Sequence, residues 1–253
     1  MDEKRVIAVS GKGGTGKTAL VAIMAKILTR NRGLKILAID ADSAISLPQV
    51  LGITAEKTVS DIRKEIIEDP EARRRIAESH IGEVIKGIAK QGDGIKLLVM
   101  GRPEGSGCFC AVNDLLRYGI EGLSKDFAIT LIDCEAGPEQ INRRVVESVD
   151  TLIIISDDSA RGARTADSIR QIAEAGGVLN TCTIAVVINR IRGETITTNK
   201  IREQLIGKII GYIPEDKNIS DYDLMDRPLL QLPDDSPSVL AVEKILKRIG
   251  LQP

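Results

Sequence analysis

The residues Gly11-Lys12-Gly13-Gly14-Thr15-Gly16-Lys17-Thr18 have the types and spacing to hold a polyphosphate. They satisfy the P-loop pattern G-x-x-x-x-G-K-[ST], whose glycines let successive backbone N–H groups wrap phosphate oxygens. The start of a following helix adds its dipole, Lys17 bridges the outer phosphates, and the Thr18 hydroxyl reaches Mg²⁺. Lys12 is an extra lysine, which the loop does not need for its own nucleotide. Asp40 closes an apolar run and Asp42 follows two residues on, so an extended backbone would turn both carboxylates to one side, toward the phosphates. The run Ala128–Ile132 ends in Asp133, as a buried Walker B strand ends in a carboxylate that holds Mg²⁺ through water. Gly137, four residues later, can offer its N–H to a γ-phosphate and flex on hydrolysis.

The base is legible in part. Guanine-selective P-loop proteins carry N-K-x-D after a strand, whereas this chain reads Asn189-Arg190-Ile191-Arg192. An amide presents a donor and an acceptor together and suits the adenine edge, so the expected nucleotide is ATP, with Mg²⁺. Catalysis must rest on lysines, Mg²⁺ and backbone N–H groups, because the single histidine, His80, leaves no Ser/His or Cys/His arrangement.

A second chemistry lies in Gly101-Arg102-Pro103-Glu104-Gly105-Ser106-Gly107-Cys108-Phe109-Cys110. Thiolates at Cys108 and Cys110 can bind one soft metal ion, nickel or zinc, but half fill a tetrahedral site; two copies meeting at a dyad would complete S₄. The same four thiolates could instead hold an iron–sulfur cluster. The competing reading is a pair of inert cysteines in a tight loop. Cys134 and Cys182 lie on apolar runs and read as core cysteines.

The elements that must position these groups are short apolar runs: Val6–Val9, Ile36–Ile39, Leu97–Met100, Ala128–Ile132, Leu152–Ile155, Ile184–Ile188 and Ile209–Ile213. Strands apolar on both faces belong to a parallel sheet covered by helices. The expected fold is therefore α/β, with about seven mostly parallel strands flanked by helices on both faces and one domain over 1–253. Ligands in such sheets sit outside the carboxyl ends of the strands, where Ser10-Gly11, Asp40, Gly101, Asp133, Ser156-Asp157, Asn189 and Pro214 end these runs. Lys17–Arg30 reads as a largely buried helix, and 54–91 as a helical excursion divided at Pro70. The last helix, from Ser236, is apolar at Val239, Val242, Leu246 and Ile249, which fits packing on the sheet better than lying on a membrane.

Composition excludes several functions. With 35 Lys+Arg against 36 Asp+Glu, the 253-residue chain has no global field to hold nucleic acid or an anionic membrane. At 2% aromatic residues it has few rings on which bases could stack. Its start shows no signal-peptide core and no segment approaches a membrane span, so a cytoplasmic location is expected, without nucleic-acid or membrane contact.

The string GKGG-x-GKT, carried here by Gly11 to Thr18 with Lys12, resembles the deviant Walker A class, which includes the nitrogenase iron protein, the MinD and ParA cell-organisation ATPases and metallocentre maturation ATPases. That resemblance implies that Lys12 reaches a partner's nucleotide, Asp40 supports Mg²⁺, Asp42 orients the attacking water, and Asn189, Pro214 and Glu215 form the adenine pocket. Family members often have Pro where this chain has Ser43. With G-R-P-E-G-x-G-C-F-C and Asp133-Cys134-Glu135-Ala136-Gly137-Pro138-Glu139-Gln140, the chain looks like the CooC-type carbon monoxide dehydrogenase maturation ATPases. This implies a homodimer with metal at Cys108/Cys110 and a client, carbon monoxide dehydrogenase or acetyl-CoA synthase. An ATP-gated iron–sulfur electron donor and a MinD/ParA-like spatial organiser are the alternatives.

Overall fold

The computed structural model describes residues 4–78, 81–102, 118, 121–136, 149–175, 183–193 and 205–251, with the backbone alone at 73, 77, 78 and 206. The expected strands form, with ends shifted by a residue or two: β1 (Arg5–Gly11), β2 (Ile36–Ala41), β4 (Ile95–Val99), β5 (Ile129–Cys134), β6 (Thr151–Asp157), β7 (Thr183–Ile191) and β8 (Ile209–Pro214). They join an eight-stranded sheet in the order β3-β4-β2-β5-β1-β6-β7-β8. The strand beyond the expected seven, β3 (Lys90–Gln91), pairs antiparallel with β4 at the edge. It carries only polar side chains, so no apolar run announces it. The other pairings are parallel.

Alternation along each strand feeds two cores. Ile7, Val9, Ile36 and Ala38 face one side with the helix α1 (Lys17–Leu28), while Val6, Ala8, Leu37 and Ile39 face the other. This is why the strands read as continuous apolar runs instead of alternating ones. From β1 the chain crosses through α1 to β2 on one side, whereas β6 flanks β1 on the other. The carboxyl end of β1 is thus a point where strand order reverses, and the P-loop leaves the sheet there.

The excursion forms α2 (Leu47–Leu51), α3 (Val59–Glu68), α4 (Pro70–Glu78) and α5 (Ile81–Ile88). Pro70 opens α4, where a missing N–H costs nothing. Thr58 and Asp61 cap α3 reciprocally, the Asp61 N–H donating to Thr58 Oγ1 at 3.2 Å and the Thr58 N–H to Asp61 Oδ2 at 2.7 Å. Beyond β6 come α6 (Ala160–Ala175), α7 (Lys217–Leu224) and α8 (Pro237–Arg248). In α8, Val239, Val242, Ile245 and Leu246 are buried in the core shared with α1. Its apolar face is therefore spent on the sheet, as the packing reading expects. A Cβ at Gly211 would lie 2.4 Å from Ile245 Cγ1, so the glycine in β8 lets this helix approach. Among the described residues no helix is long and apolar enough to cross a membrane.

One buried carboxylate ties α7 to α8. Asp216 accepts from the Asn218 N–H at 3.0 Å, capping α7, and from the Ser238 N–H at 3.0 Å in the first turn of α8. Asp216→Ala removes both acceptors and is expected to destabilise the protein by about 2–3 kcal/mol in urea unfolding. A change below about 0.5 kcal/mol would show that the two helices are held by packing alone.

Candidate nucleotide-binding site

The loop between β1 and α1 is shaped by contacts that only glycine permits. A Cβ at Gly11 would meet the Ile155 carbonyl oxygen at 2.3 Å. Gly16, at the N-cap of α1, has φ 94°, and a Cβ there would lie 2.5 Å from Asn189 Nδ2. The Thr15 hydroxyl donates to the Lys12 carbonyl at 2.7 Å, closing the loop on itself. Gly13, Gly14, Gly16, Lys17 and Thr18 line a cavity of about 470 Å³ that also takes in Asp42 and Ala136.

Asp40 and Asp133 face each other across the parallel pair β2–β5. Both are fully buried. Neither Asp133 oxygen has a hydrogen-bond partner. Burial pushes the Asp133 carboxyl up to about 7, although the nearby Thr18 hydroxyl and Lys17 ammonium offset part of that rise. Burial likewise raises Asp40 to about 6, against the bonds it accepts from the Leu47 and Asp42 N–H groups at 3.0 Å each. Two orphaned carboxylate oxygens beside a threonine hydroxyl and a lysine form the donor set that a hard divalent cation bound to phosphates requires. The residues therefore fit Mg²⁺.

Asp40 and Asp42 lie close together, the Asp42 N–H donating to Asp40 Oδ1 at 3.0 Å, and hold different partners. The chain leaves β2 in a turn after Ala41, so Asp40 clasps the start of α2 while Asp42 lines the cavity. Asp42 Oδ1 accepts from the Ala44 N–H at 2.9 Å. Ser43 donates its hydroxyl to Glu135 at 3.2 Å, joining the loop after β2 to the one after β5. Lys12 pairs within its own chain to Asp157 at 3.7 Å, with both side chains about one-third exposed. Although burial acts the other way, the Ser159 hydroxyl and N–H, together with Lys12, hold the Asp157 carboxyl below its ordinary range.

Asn189 lies within β7 and not past its end. Its Nδ2 donates to the Thr15 carbonyl at 2.8 Å, so this amide buttresses the P-loop from behind. Pro214 and Glu215 border a separate recess of about 570 Å³ with Arg192 and Tyr212. There the Arg192 guanidinium grips both Glu215 oxygens at 2.7 and 2.8 Å. The wall of the nucleotide cavity away from the loop comes instead from Arg190 and from Ile219, Tyr222 and Asp223 of α7. Sequence reading missed these. The only signal was the adjacency of Arg190 to Asn189, since α7 has no motif. Cys134 is a buried free thiol whose surroundings push it up to about 12, an inert core residue as expected. Gly137, Cys108, Cys110, Cys182 and His80 lie outside the described residues.

The model of the CobQ/CobB/MinD/ParA nucleotide binding domain matches residues 6–229. The chain belongs to this family. It is a nucleotide-binding ATPase with the family's P-loop fold. It is 40% identical over 250 residues to an uncharacterized ATP-binding protein of Methanocaldococcus jannaschii, covering 96% of this chain and 98% of that one. Over 192 residues it is 33% identical to the carbon monoxide dehydrogenase accessory protein CooC of Rhodospirillum rubrum, covering 71% and 73%. The septum site-determining protein MinD of Pyrococcus horikoshii, solved with Mg-ADP, shares the fold at a TM-score of 0.69 and 22% identity, covering 98% and 96%.

The carboxylate pair sets a pH dependence. Both groups are raised in the folded state, so the stability they contribute is fully present below about pH 4 and lost as pH rises through 6 to 7. Magnesium-free protein is therefore expected to melt lower at pH 8 than at pH 5.5. Asp133→Asn should raise the melting temperature at pH 8 by several degrees and flatten the difference. An unchanged pH profile in the variant would remove this reading of the pair.

Proposed function

We propose that this ATPase is a nucleotide-switched homodimeric metallochaperone that assists nickel insertion into a carbon monoxide dehydrogenase or acetyl-CoA synthase. The observation that carries the reading is the Cys108-x-Cys110 pair in a chain 33% identical to a carbon monoxide dehydrogenase accessory protein. Nickel or zinc as cargo would be shared by the two thiolates of each copy, completing four sulfur ligands at the dyad. Among the described residues no group of three or more His, Cys, Asp or Glu side chains is placed to hold a metal ion, so this site rests on the sequence.

In the hydrolytic cycle Lys17 and the loop N–H groups bind the phosphates, and the Thr18 hydroxyl with Asp40 and Asp133 would hold Mg²⁺. That ion, when bound, neutralises charge on the phosphate oxygens. Asp42 orients a water in line with the γ-phosphorus and takes up its proton. The water oxygen bonds to that phosphorus as the bond to the ADP oxygen breaks, and ADP and phosphate leave. The Gly137 N–H supports the γ-phosphate, so its loss loosens the segment after β5. Lys12 leaves Asp157, a weak pair about one-third exposed, to reach the nucleotide of the second copy. Asn189 would brace the phosphate loop for the nucleotide through the Thr15 carbonyl, and a base bound by Pro214 and Glu215 would have to reach beyond this cavity into the recess that they border. The location that suits this role is the cytoplasm.

A second reading, a MinD/ParA-like spatial organiser, is favoured by the fold shared with MinD. It has less support from α8, whose apolar face is buried against the sheet. Metal content per protomer after anaerobic purification and nickel loading, measured with oligomeric mass, separates the readings. The proposal expects about half a metal ion per protomer in a dimer, lost in Cys108→Ser/Cys110→Ser. About two irons with matching sulfide would point to an electron donor, and no cysteine-dependent metal would leave the organiser reading.

A further inference from the structure

Ile45 has φ 54°, in the left-handed region, where a side chain branched at Cβ is an outlier. Burial of the side chain does not account for it, since Ile45 is 37% exposed. Strain of this kind persists only where surrounding contacts over-determine it, and it gathers where a neighbouring group must be aimed.

The contacts that hold Ile45 are those of the loop after β2. Its N–H donates to the Asp42 carbonyl at 3.1 Å, and the Ala44 N–H donates to Asp42 Oδ1 at 2.9 Å. Behind the loop, Asp40 accepts from the N–H groups of Asp42 and Leu47 at 3.0 Å each. All of these bonds stay within residues 40–47. A further one leaves the segment: the Ser43 hydroxyl donates to Glu135 Oε1 at 3.2 Å, across 92 residues of chain. Glu135 follows the last residue of β5, two places after Asp133, and precedes Ala136, which lines the cavity. The Ala136 Cβ lies 3.7 Å from where a Cβ at Gly13 would stand, so this segment also adjoins the phosphate loop.

Asp42 lines the same cavity and commits Oδ1 to Ala44, which leaves Oδ2 for a ligand. Its direction depends on the course of the strained turn that it opens, and Ser43, the next residue, is where that turn is tied to β5. We propose that Glu135 is a positioning residue for ATP hydrolysis: by accepting the Ser43 hydroxyl, its carboxylate holds the loop after β2 so that Asp42 is aimed at the attacking water. Glu135 itself exchanges no proton and touches no reacting atom. The inference rests on the reading of Asp42 given above and is independent of the metal at the cysteines.

Steady-state ATP hydrolysis by the full chain, with kcat and KM separated, tests it in Glu135→Ala, Glu135→Gln, Ser43→Ala and the double variant Ser43→Ala/Glu135→Ala. The expected result is a kcat about ten-fold lower in each alanine variant, with KM within about two-fold of wild type. The double variant should be no slower than the slower single one, because both changes break the same bond. Glu135→Gln, whose amide oxygen still accepts the hydroxyl, should keep at least about half of the wild-type kcat. An unchanged kcat in Glu135→Ala, a loss of ATP binding in step with kcat, no rescue by Gln, or a double variant that shows the product of the two single losses would each overturn the proposal. Asp42→Asn separates this from the reading beneath it: wild-type hydrolysis in that variant would overturn the role of Asp42, whereas a slow Asp42→Asn beside a Glu135→Ala of wild-type rate would overturn the positioning role alone.

Discussion

The structure turns on two carboxylates buried side by side at the carboxyl edge of a parallel sheet. Asp40 and Asp133 occupy matching positions on adjacent strands, and Asp133 has no donor on either oxygen. Burial disfavours their charged forms, Lys17 and Thr18 offset only part of that at Asp133, and packing elsewhere must offset the rest. The strands that carry the pair are apolar and buried throughout, so the sheet can hold the carboxylates rigidly in that state. Lys17 and Thr18 then stand near Asp133 because α1 starts at the end of the neighbouring β1.

From that edge, single hydrogen bonds spread the site's geometry into the rest of the fold. Asp40 holds the first turn of α2, while its own carbonyl accepts from the Met100 N–H at 2.8 Å. Met100 in turn gives its carbonyl to the Ser60 N–H at 2.9 Å in α3. The magnesium-side carboxylate is thus bonded, through backbone, to the end of β4, from which the chain runs on toward Cys108. On the opposite flank Asn189 connects β7 to the back of the phosphate loop.

How much of this was legible in the sequence depended on distance along the chain. The P-loop is eight consecutive residues whose spacing alone dictates their wrapping, and the apolar runs announce a sheet buried on both faces. Asp133 and Cys134 were readable for the same reason, each being part of one strand. Asn189 was singled out but its partner was not, because the Thr15 carbonyl lies 174 residues away and is placed only by the parallel order of β1, β6 and β7. The two aspartates of Asp40-x-Asp42 were legible as a pair, whereas the partners each one holds, Leu47 and Ala44, depend on the chain's course beyond the end of β2 at Ala41. Arg190 and the α7 wall carry no pattern at all; their positions follow from a register break and a helix cap at Asp216.

The central claim is that the buried pair exists to receive a divalent cation together with nucleotide. The most direct measurement is the affinity for ADP by titration calorimetry in Mg²⁺ and in EDTA, for wild type and Asp133→Asn. The account predicts that Mg²⁺ strengthens ADP binding by ten-fold or more in wild type, on the order of 1.4 kcal/mol or above, and that most of this gain disappears in Asp133→Asn. Equal gains in the two proteins would contradict it, and would mean that the unpartnered carboxylate at the sheet edge serves something other than the metal.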